Sequence, residues 1–259
     1  MIAFRDMEKR GQVTIFIIVG VAILAIFIWL VVYPRVGLLT NEVNPSSYLR
    51  ECIQPQMDKV LPILEKQGGY YNPDNYVLYN SEKVQYLCYT AENYKPCIVQ
   101  QPLLVKHVSS ELQKQIEPVA AGCMQTLKDL YTKRGYQVQG GNSNLSVSIV
   151  PGSINVVYDS PLTITKQNQD NQVQTFRKFS IGVNSQLYDL LATATSIIQF
   201  SSTLGDSETL LYVQYYPDLK IEKLKKDSDT IYTLSNVVTK ESFTFATRSL
   251  AWPQGYGEQ

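Results

Sequence analysis

The sequence predicts an α+β fold that follows an N-terminal transmembrane helix. Three observations carry this prediction: an uninterrupted apolar run near the N-terminus, apolar residues at helical spacing up to about residue 135, and alternating apolar residues after it. We therefore expect a disulfide-braced helical region and then an antiparallel β-sheet region with packed helices. The expected divisions are residues 1–11, a basic cytoplasmic leader; 12–35, the apolar helix; 36–135, the helical region with four cysteines; and 136–259, the α+β region.

The apolar run occupies residues 13–33, where no side chain is charged and Thr14 is the clearly polar one. A helix of this length measures about 32 Å, and a bilayer core is roughly 30 Å thick. Basic residues stand before the run at positions 5, 9 and 10, whereas Arg35 alone follows it closely. Because basic flanks stay on the cytoplasmic side, we expect a single-pass protein of the lipid bilayer with its N-terminus inside and its C-terminal part extracellular.

The cysteines predict two disulfide bonds. They are four in number: Cys52, Cys88, Cys97 and Cys123. Disulfides persist in oxidising compartments, which agrees with an exterior location. A zinc site is the alternative, but the chain has no C-x-x-C pair, and His107 is its one histidine. Close ligand pairs are typical of structural zinc sites, so we expect no metal here.

The helical pattern selects a pairing for the cysteines. Apolar residues recur at helical spacing from about residue 45 to 67 and from about 110 to 134. Cys52 and Cys123 fall on the apolar faces of these two helices, so that packing of the helices would bring them together. Cys88 and Cys97 enclose a short stretch suited to a local loop. We therefore expect the bonds Cys52–Cys123 and Cys88–Cys97.

The second half of the chain reads mainly as strands. Apolar residues alternate on both sides of a turn at Pro151–Gly152, which is typical of a hairpin. A helical stretch follows with Asn184 or Ser185 as its cap, and a second helical piece precedes Pro217. Further short strands are expected at residues 179–183, 219–224, 231–234 and 243–245.

The sequence gives little indication of a catalytic motif. A Ser-His-Asp or Cys-His mechanism would need His107, which stands just before the predicted second helix with no nucleophile motif nearby. Gly205–Asp206–Ser207 is read as a helix cap, and the chain has no phosphate-binding glycine loop. Catalysis by a pair of carboxylates stays open, because any two acidic residues could meet in the fold. We expect no enzymatic activity and no cofactor.

The charge distribution argues against nucleic-acid binding. The chain has 23 basic and 23 acidic residues, and no Lys/Arg tract occurs outside the N-terminus. Nucleic acids require a basic surface, so we expect none as a partner.

Tyrosines are unusually frequent, at 18 against eight phenylalanines. A candidate contact surface is formed by Tyr70, Tyr71, Tyr76 and Tyr79. Tyrosine suits recognition surfaces because its ring is apolar and its tip polar, but it equally suits half-buried sheet positions. Asn144 begins the one N-x-[ST] sequon and is a candidate glycosylation site.

The stretch KRGQ before the apolar run resembles the class III signal peptide of archaeal type IV pilins and related surface proteins. The resemblance covers about 25 residues. It implies that a prepilin peptidase cuts between Gly11 and Gln12, after which the apolar helix packs with other pilin-like subunits. Phe16 stands where many of these pilins carry a glutamate, and the part after the helix is large for a major subunit. A minor subunit or an adhesive head is therefore the form that fits.

Two functions remain open on the sequence. The first is a non-catalytic pilin-like surface protein, anchored in the membrane or associated with a filament. The alternative is an uncleaved signal-anchored protein with an extracytoplasmic ligand-binding module or enzyme. The state of the N-terminus distinguishes them, because cleavage at Gly11 belongs to the first function alone.

Overall fold

The computed structural model describes residues 17–29, 43–166 and 173–249. The chain divides into two compact units, Met1–Asn44 and Pro45–Gln259. In the first unit, residues 17–29 form a helix, α1, inside the predicted run 13–33, whose two ends lie outside the described residues. Within the described parts of the chain, no helix combines the length and the apolar character needed to cross a membrane.

The second unit is α+β, as the sequence predicted. Its helices are α2 (Pro45–Lys66), α3 (Leu104–Lys133), α4 (Leu187–Leu204) and α5 (Leu210–Tyr215). Its strands are β1 (Tyr76–Tyr79), β2 (Glu82–Tyr89), β3 (Ile98–Val99), β4 (Tyr136–Gly140), β5 (Asn144–Val150), β6 (Ser153–Lys166), β7 (Val173–Asn184), β8 (Leu219–Lys226), β9 (Asp229–Asn236) and β10 (Ser242–Arg248).

Helices α2 and α3 pack against each other through the apolar faces that the sequence predicted. Five residues of α2 are fully buried, at the helical spacing of one face: Leu49, Ile53, Met57, Val60 and Leu64. The bond Cys52–Cys123 joins the two helices, with Cα atoms 6.1 Å apart. The second bond, Cys88–Cys97, closes the predicted local loop with Cα atoms 5.3 Å apart.

The region 36–135 is less helical than expected, because it also contains β1, β2 and β3. These strands belong to a sheet with the order β1-β2-β10-β9-β8, in which β3 also pairs with β2. The pairing of β2 with β10 is parallel, so this sheet is mixed, although the described strands of the region 136–259 pair with one another antiparallel as expected. This sheet draws strands from both sides of the predicted division at residue 135.

The second sheet is centred on the long strand β6. Strand β5 pairs with its first half and β4 with its second half, while β7 pairs along nearly its whole length. Gly152, with φ of 75°, forms the turn between β5 and β6 as predicted. The register shifts between Asp159 and Leu162, where Pro161 cannot donate a ladder hydrogen bond. Helix α3 covers this sheet, and the Ser109 hydroxyl accepts a bond of 3.3 Å from the Ile149 amide.

Helix α3 begins six residues before the predicted start at residue 110. His107 therefore lies inside the helix rather than before it. Pro118 also lies inside the helix, which continues past it to Lys133. Helix α4 packs against β2, β9 and β10, and thereby fixes the position of the groove described next.

Candidate functional site

A groove lies between α4 and α5 in the described part of the second unit. It consists of two adjoining cavities of about 480 Å³ and about 560 Å³ that share Ser196, Tyr212 and Tyr216. A hydrogen bond of 2.7 Å joins the Ser196 and Tyr212 hydroxyls between them. Each volume lies within the roughly 300–1,000 Å³ that is typical of small-molecule sites. We call this feature the α4–α5 groove.

Local sequence explains why the groove exists. Gly205 ends α4 in the left-handed conformation, with φ of 83°, and the chain then turns back into the short helix α5. Helix α5 has the sequence LLYVQY, yet none of its residues is buried. Tyr215 at the end of α5 is 78% exposed, and Tyr216, which directly follows the helix, is 61% exposed. These rings therefore form an exposed wall rather than part of the core.

The two cavities differ in their lining. The larger one is mainly apolar and includes Phe200, Leu204 and Leu211, although the carboxylates of Asp206 and Glu208 also line it. The smaller one combines the rings of Tyr212 and Tyr216 with carboxylates and amides, which are Asp189, Asp218, Gln186 and Asn236. No lysine, arginine or histidine lines either cavity within the described residues. The groove is therefore amphipathic, with carboxylates in both cavities and most of its other polar groups in the smaller one.

A charged cluster borders the apolar cavity. The Asp206 carboxylate accepts hydrogen bonds from Lys223 at 2.7 Å and from Lys225 at 2.6 Å, and the Tyr232 hydroxyl donates to it at 3.3 Å. Burial raises the pKa of the Asp206 carboxyl, but the two lysines outweigh burial and hold the pKa below its ordinary value. Because Asp206 is already paired, we interpret the cluster as structural: its ion pairs hold the segment between α4 and α5 in place.

The sequence Gly205–Asp206–Ser207 lies between α4 and α5. The Ser207 hydroxyl oxygen is buried and has no hydrogen-bond partner within the described residues. Its backbone amide donates to the neighbouring Asp206 carboxylate at 2.8 Å. Helix α5 begins only at Leu210, with Thr209 as its N-cap and no side-chain cap bond, so the predicted cap at Asp206 or Ser207 was wrong.

His107 is a packing residue. Its ring lies against Tyr70, with ring centroids 4.1 Å apart, and burial lowers its pKa below the ordinary value although the Glu111 carboxylate opposes this shift. Within the described residues, no group of three or more His, Cys, Asp or Glu side chains could hold a metal ion.

The four tyrosines of the predicted contact surface have different surroundings. Tyr70 contacts His107, and Tyr79 packs on a buried cluster of the six-stranded sheet. The Lys83 ammonium lies 4.8 Å from the centre of the Tyr76 ring, and Tyr71 is half-buried. Their role in contacts stays a prediction. The exposed tyrosines of the α4–α5 groove were not predicted from the sequence, although the aromatic stretch LLYVQYY directly before Pro217 was a signal for them.

One carboxyl group has a strongly shifted pKa. Burial and the negative charge of Glu241 raise the pKa of Glu65 from 4.5 to about 7, against the opposing effect of Lys66. Glu241 also accepts a hydrogen bond of 2.7 Å from the Gln186 amide at the start of α4. Glu65 lines neither cavity of the groove. We interpret this pair of carboxyl groups as structural.

The remaining candidate sites are placed as follows. Asn144 is exposed at the first position of β5, where a glycan would meet no steric obstacle from burial. Gly11 and Gln12 lie outside the described residues. Both assignments therefore stay predictions.

Comparisons with protein-family models, with curated proteins and with solved structures find no match to this chain. Its function must therefore be inferred from its own residues and geometry.

Proposed function

We propose that this protein is a non-catalytic, pilin-like surface protein with an extracytoplasmic head. In this proposal residues 13–33 anchor the chain in the membrane or in a filament, and the disulfide-braced unit from Pro45 onward forms the head. The leader before Gln12 is removed by a prepilin peptidase. The partners are the lipid bilayer and other pilin-like subunits.

The observation that carries the proposal is the surface of α1. Every residue from 17 to 29 is exposed, and the large apolar side chains expose 49–66% of their surface. They occur on all sides of the helix, because Ile17, Ile18 and Val19 alone point in three directions about 100° apart. A helix that is apolar all round requires apolar surroundings on every side. Lipid and the matching helices of other subunits both provide them.

The two disulfides support an exterior location for the head. Both bonds are present, and no cysteine of the chain is free. Such bonds persist in oxidising compartments rather than in a reducing cytosol. The alternative, an uncleaved signal-anchored ligand-binding module, is favoured by the α4–α5 groove and shares the same topology.

Labelling with a membrane-impermeant amine reagent on intact cells tests the topology. We expect modification of lysines in the head, such as Lys178 and Lys225, which are at least 60% exposed. Lys9 of the Gly11→Val variant, which keeps the leader, provides an internal control, because the proposed cytoplasmic leader should react only after lysis. Equal labelling of the head and Lys9 before lysis, or recovery of the chain in the soluble fraction, would contradict the proposal.

A further inference from the structure

We propose that the α4–α5 groove binds neutral saccharide units. This inference goes beyond the proposed surface function, and it does not depend on whether the leader is cleaved. It rests on three features of the groove, which are an aromatic wall, a set of free polar groups and the absence of cationic side chains from the described lining.

The aromatic wall provides the apolar half of a saccharide site. A pyranose ring has a face of C–H groups that packs on an aromatic ring, and it carries hydroxyl groups around its rim. Tyr212 and Tyr216 line both cavities, so a chain of saccharide units lying along the groove would meet them in either half. The Tyr212 ring is held in place by the 2.7 Å bond to Ser196. Such preorganisation reduces the entropic cost of binding.

The polar groups of the smaller cavity can form hydrogen bonds with the hydroxyl groups of a saccharide. Within the described residues, Asp189 and Asp218 have no ion-pair partner, so that their carboxylates can accept hydrogen bonds from hydroxyl groups. Charge-assisted hydrogen bonds of this kind are the stronger ones. The Asn236 side-chain oxygen already accepts from the Val238 and Thr239 amides at 2.9 Å. Its NH₂ group therefore remains as a donor to a saccharide oxygen.

The same groups argue against other ligand classes. An anion would meet Asp189 and Asp218 with no basic residue to offset them. A purely apolar ligand would cover these carboxylates without giving them hydrogen-bond partners, which is costly. An organic cation is the nearest competitor, because aromatic rings and carboxylates also attract cations. The neutral saccharide is favoured because it uses the donor Asn236 as well as the carboxylates.

Titration of the full chain with saccharides tests the proposal. The protein is kept in a polyoxyethylene detergent, since alkyl-glycoside detergents carry a sugar. The probes are maltotriose, cellotriose and triacetylchitotriose, and binding is measured by saturation-transfer difference NMR and calorimetry. We expect saturable binding of at least one trisaccharide, with transfer to its C–H protons.

Variants identify the groove as the site. Tyr216→Ala removes an exposed ring and should weaken binding about tenfold, whereas Tyr216→Phe should stay close to wild type. Asp218→Asn should also weaken binding, because it removes a charged acceptor. Tyr94→Ala is the matched control: Tyr94 is 78% exposed and lies outside the groove, so its loss should change affinity less than twofold.

Three results would overturn the proposal. The first is no binding of any of the three trisaccharides at millimolar concentration. The second is equal affinity of wild type and Tyr216→Ala. The third is binding of tetramethylammonium chloride but of none of the trisaccharides, which would identify a cation site instead. None of these results bears on membrane topology, so failure here is distinguishable from failure of the surface-protein proposal.

Discussion

At the residue scale, the packing of the described head shifts the pKa values of some of its acidic residues. Two lysines hold the pKa of Asp206 below its ordinary value, so its carboxyl is ionised. Burial and the charge of Glu241 raise the pKa of Glu65 to about 7. The contrast follows from their partners, since Asp206 faces cations and Glu65 faces a second carboxyl. The sequence could not predict either environment, because Glu65 and Glu241 are brought together only by the fold.

We expect Glu65→Gln to stabilise the protein above pH 7. In the folded protein the pKa of Glu65 is about 7, against 4.5 ordinarily. Between these values the folded state binds more protons than the unfolded state, so the free energy of unfolding falls as pH rises. Glutamine does not titrate, so the stability of the variant does not fall in this way. Its free energy of unfolding should exceed that of wild type by about 1–3 kcal/mol at pH 8, but by little near pH 4. Urea unfolding of the full chain in detergent at the two pH values measures both.

Glu51→Gln is the control for this prediction, because Glu51 is exposed on the same helix. Its free energy of unfolding should stay close to wild type at both pH values. A Glu65→Gln variant no more stable than wild type at pH 8 would show that the Glu65 carboxyl is ionised in the fold at no cost.

At the element scale, the end of α2 and the start of α3 meet at a glycine. Gly69 has φ of 86°, and a Cβ atom there would lie 2.6 Å from a methyl group of Val108. The close approach brings Tyr70 against His107. Two consecutive glycines, Gly68–Gly69, are typical of a helix end, but the sequence does not reveal that the second glycine also makes room for α3.

Gly69→Ala should therefore be more destabilising than an ordinary glycine substitution at positive φ. Left-handed backbone alone costs a non-glycine residue about 1–2 kcal/mol. At Gly69 the clash with Val108 is added, and we expect a total of about 2–4 kcal/mol. Gly135→Ala is the matched control, because φ is 81° there and no atom lies within 4 Å of the added Cβ. Equal losses in thermal or urea unfolding would contradict the packing account.

The two disulfides should contribute unequally to stability. In the chain-entropy model, the Cys52–Cys123 bond spans 71 residues and contributes about 4 kcal/mol. The Cys88–Cys97 bond spans nine and contributes about 2.5 kcal/mol. We expect Cys52→Ser/Cys123→Ser to lower the free energy of unfolding more than Cys88→Ser/Cys97→Ser does. The reverse order in urea unfolding would show that the helix pair holds together without its bond.

The elements found from the sequence were those with a clear local period. Strand β5 has alternate residues buried, and α2 has one apolar face, so both elements could be recognised from the sequence. Strand β2 was missed because five consecutive residues are buried in it, which leaves no alternation. Its parallel pairing with β10 joins distant parts of the chain and has no local signal. The α4–α5 groove was missed for the same reason, because the exposed side of α5 depends on how the chain returns after Gly205.

At the scale of the whole molecule, the chain has two separate units, an apolar N-terminal helix and a disulfide-braced head. The helix requires apolar surroundings, and the head presents an amphipathic groove. The stretch KRGQ before the helix is the feature that separates a processed pilin-like subunit from a permanently anchored protein.

Intact mass spectrometry of the processed chain tests the central proposal most directly. Wild type and Gly11→Val are each expressed beside an archaeal prepilin peptidase and purified from membranes. We expect wild type to lack Met1–Gly11 and to begin at Gln12. Gly11→Val should keep the full length, because valine obstructs the peptidase at the residue before the cut. It should still insert in the membrane, since the substitution lies outside residues 13–33. Equal, full-length masses for both chains would contradict the pilin-like account and leave an uncleaved signal-anchored protein.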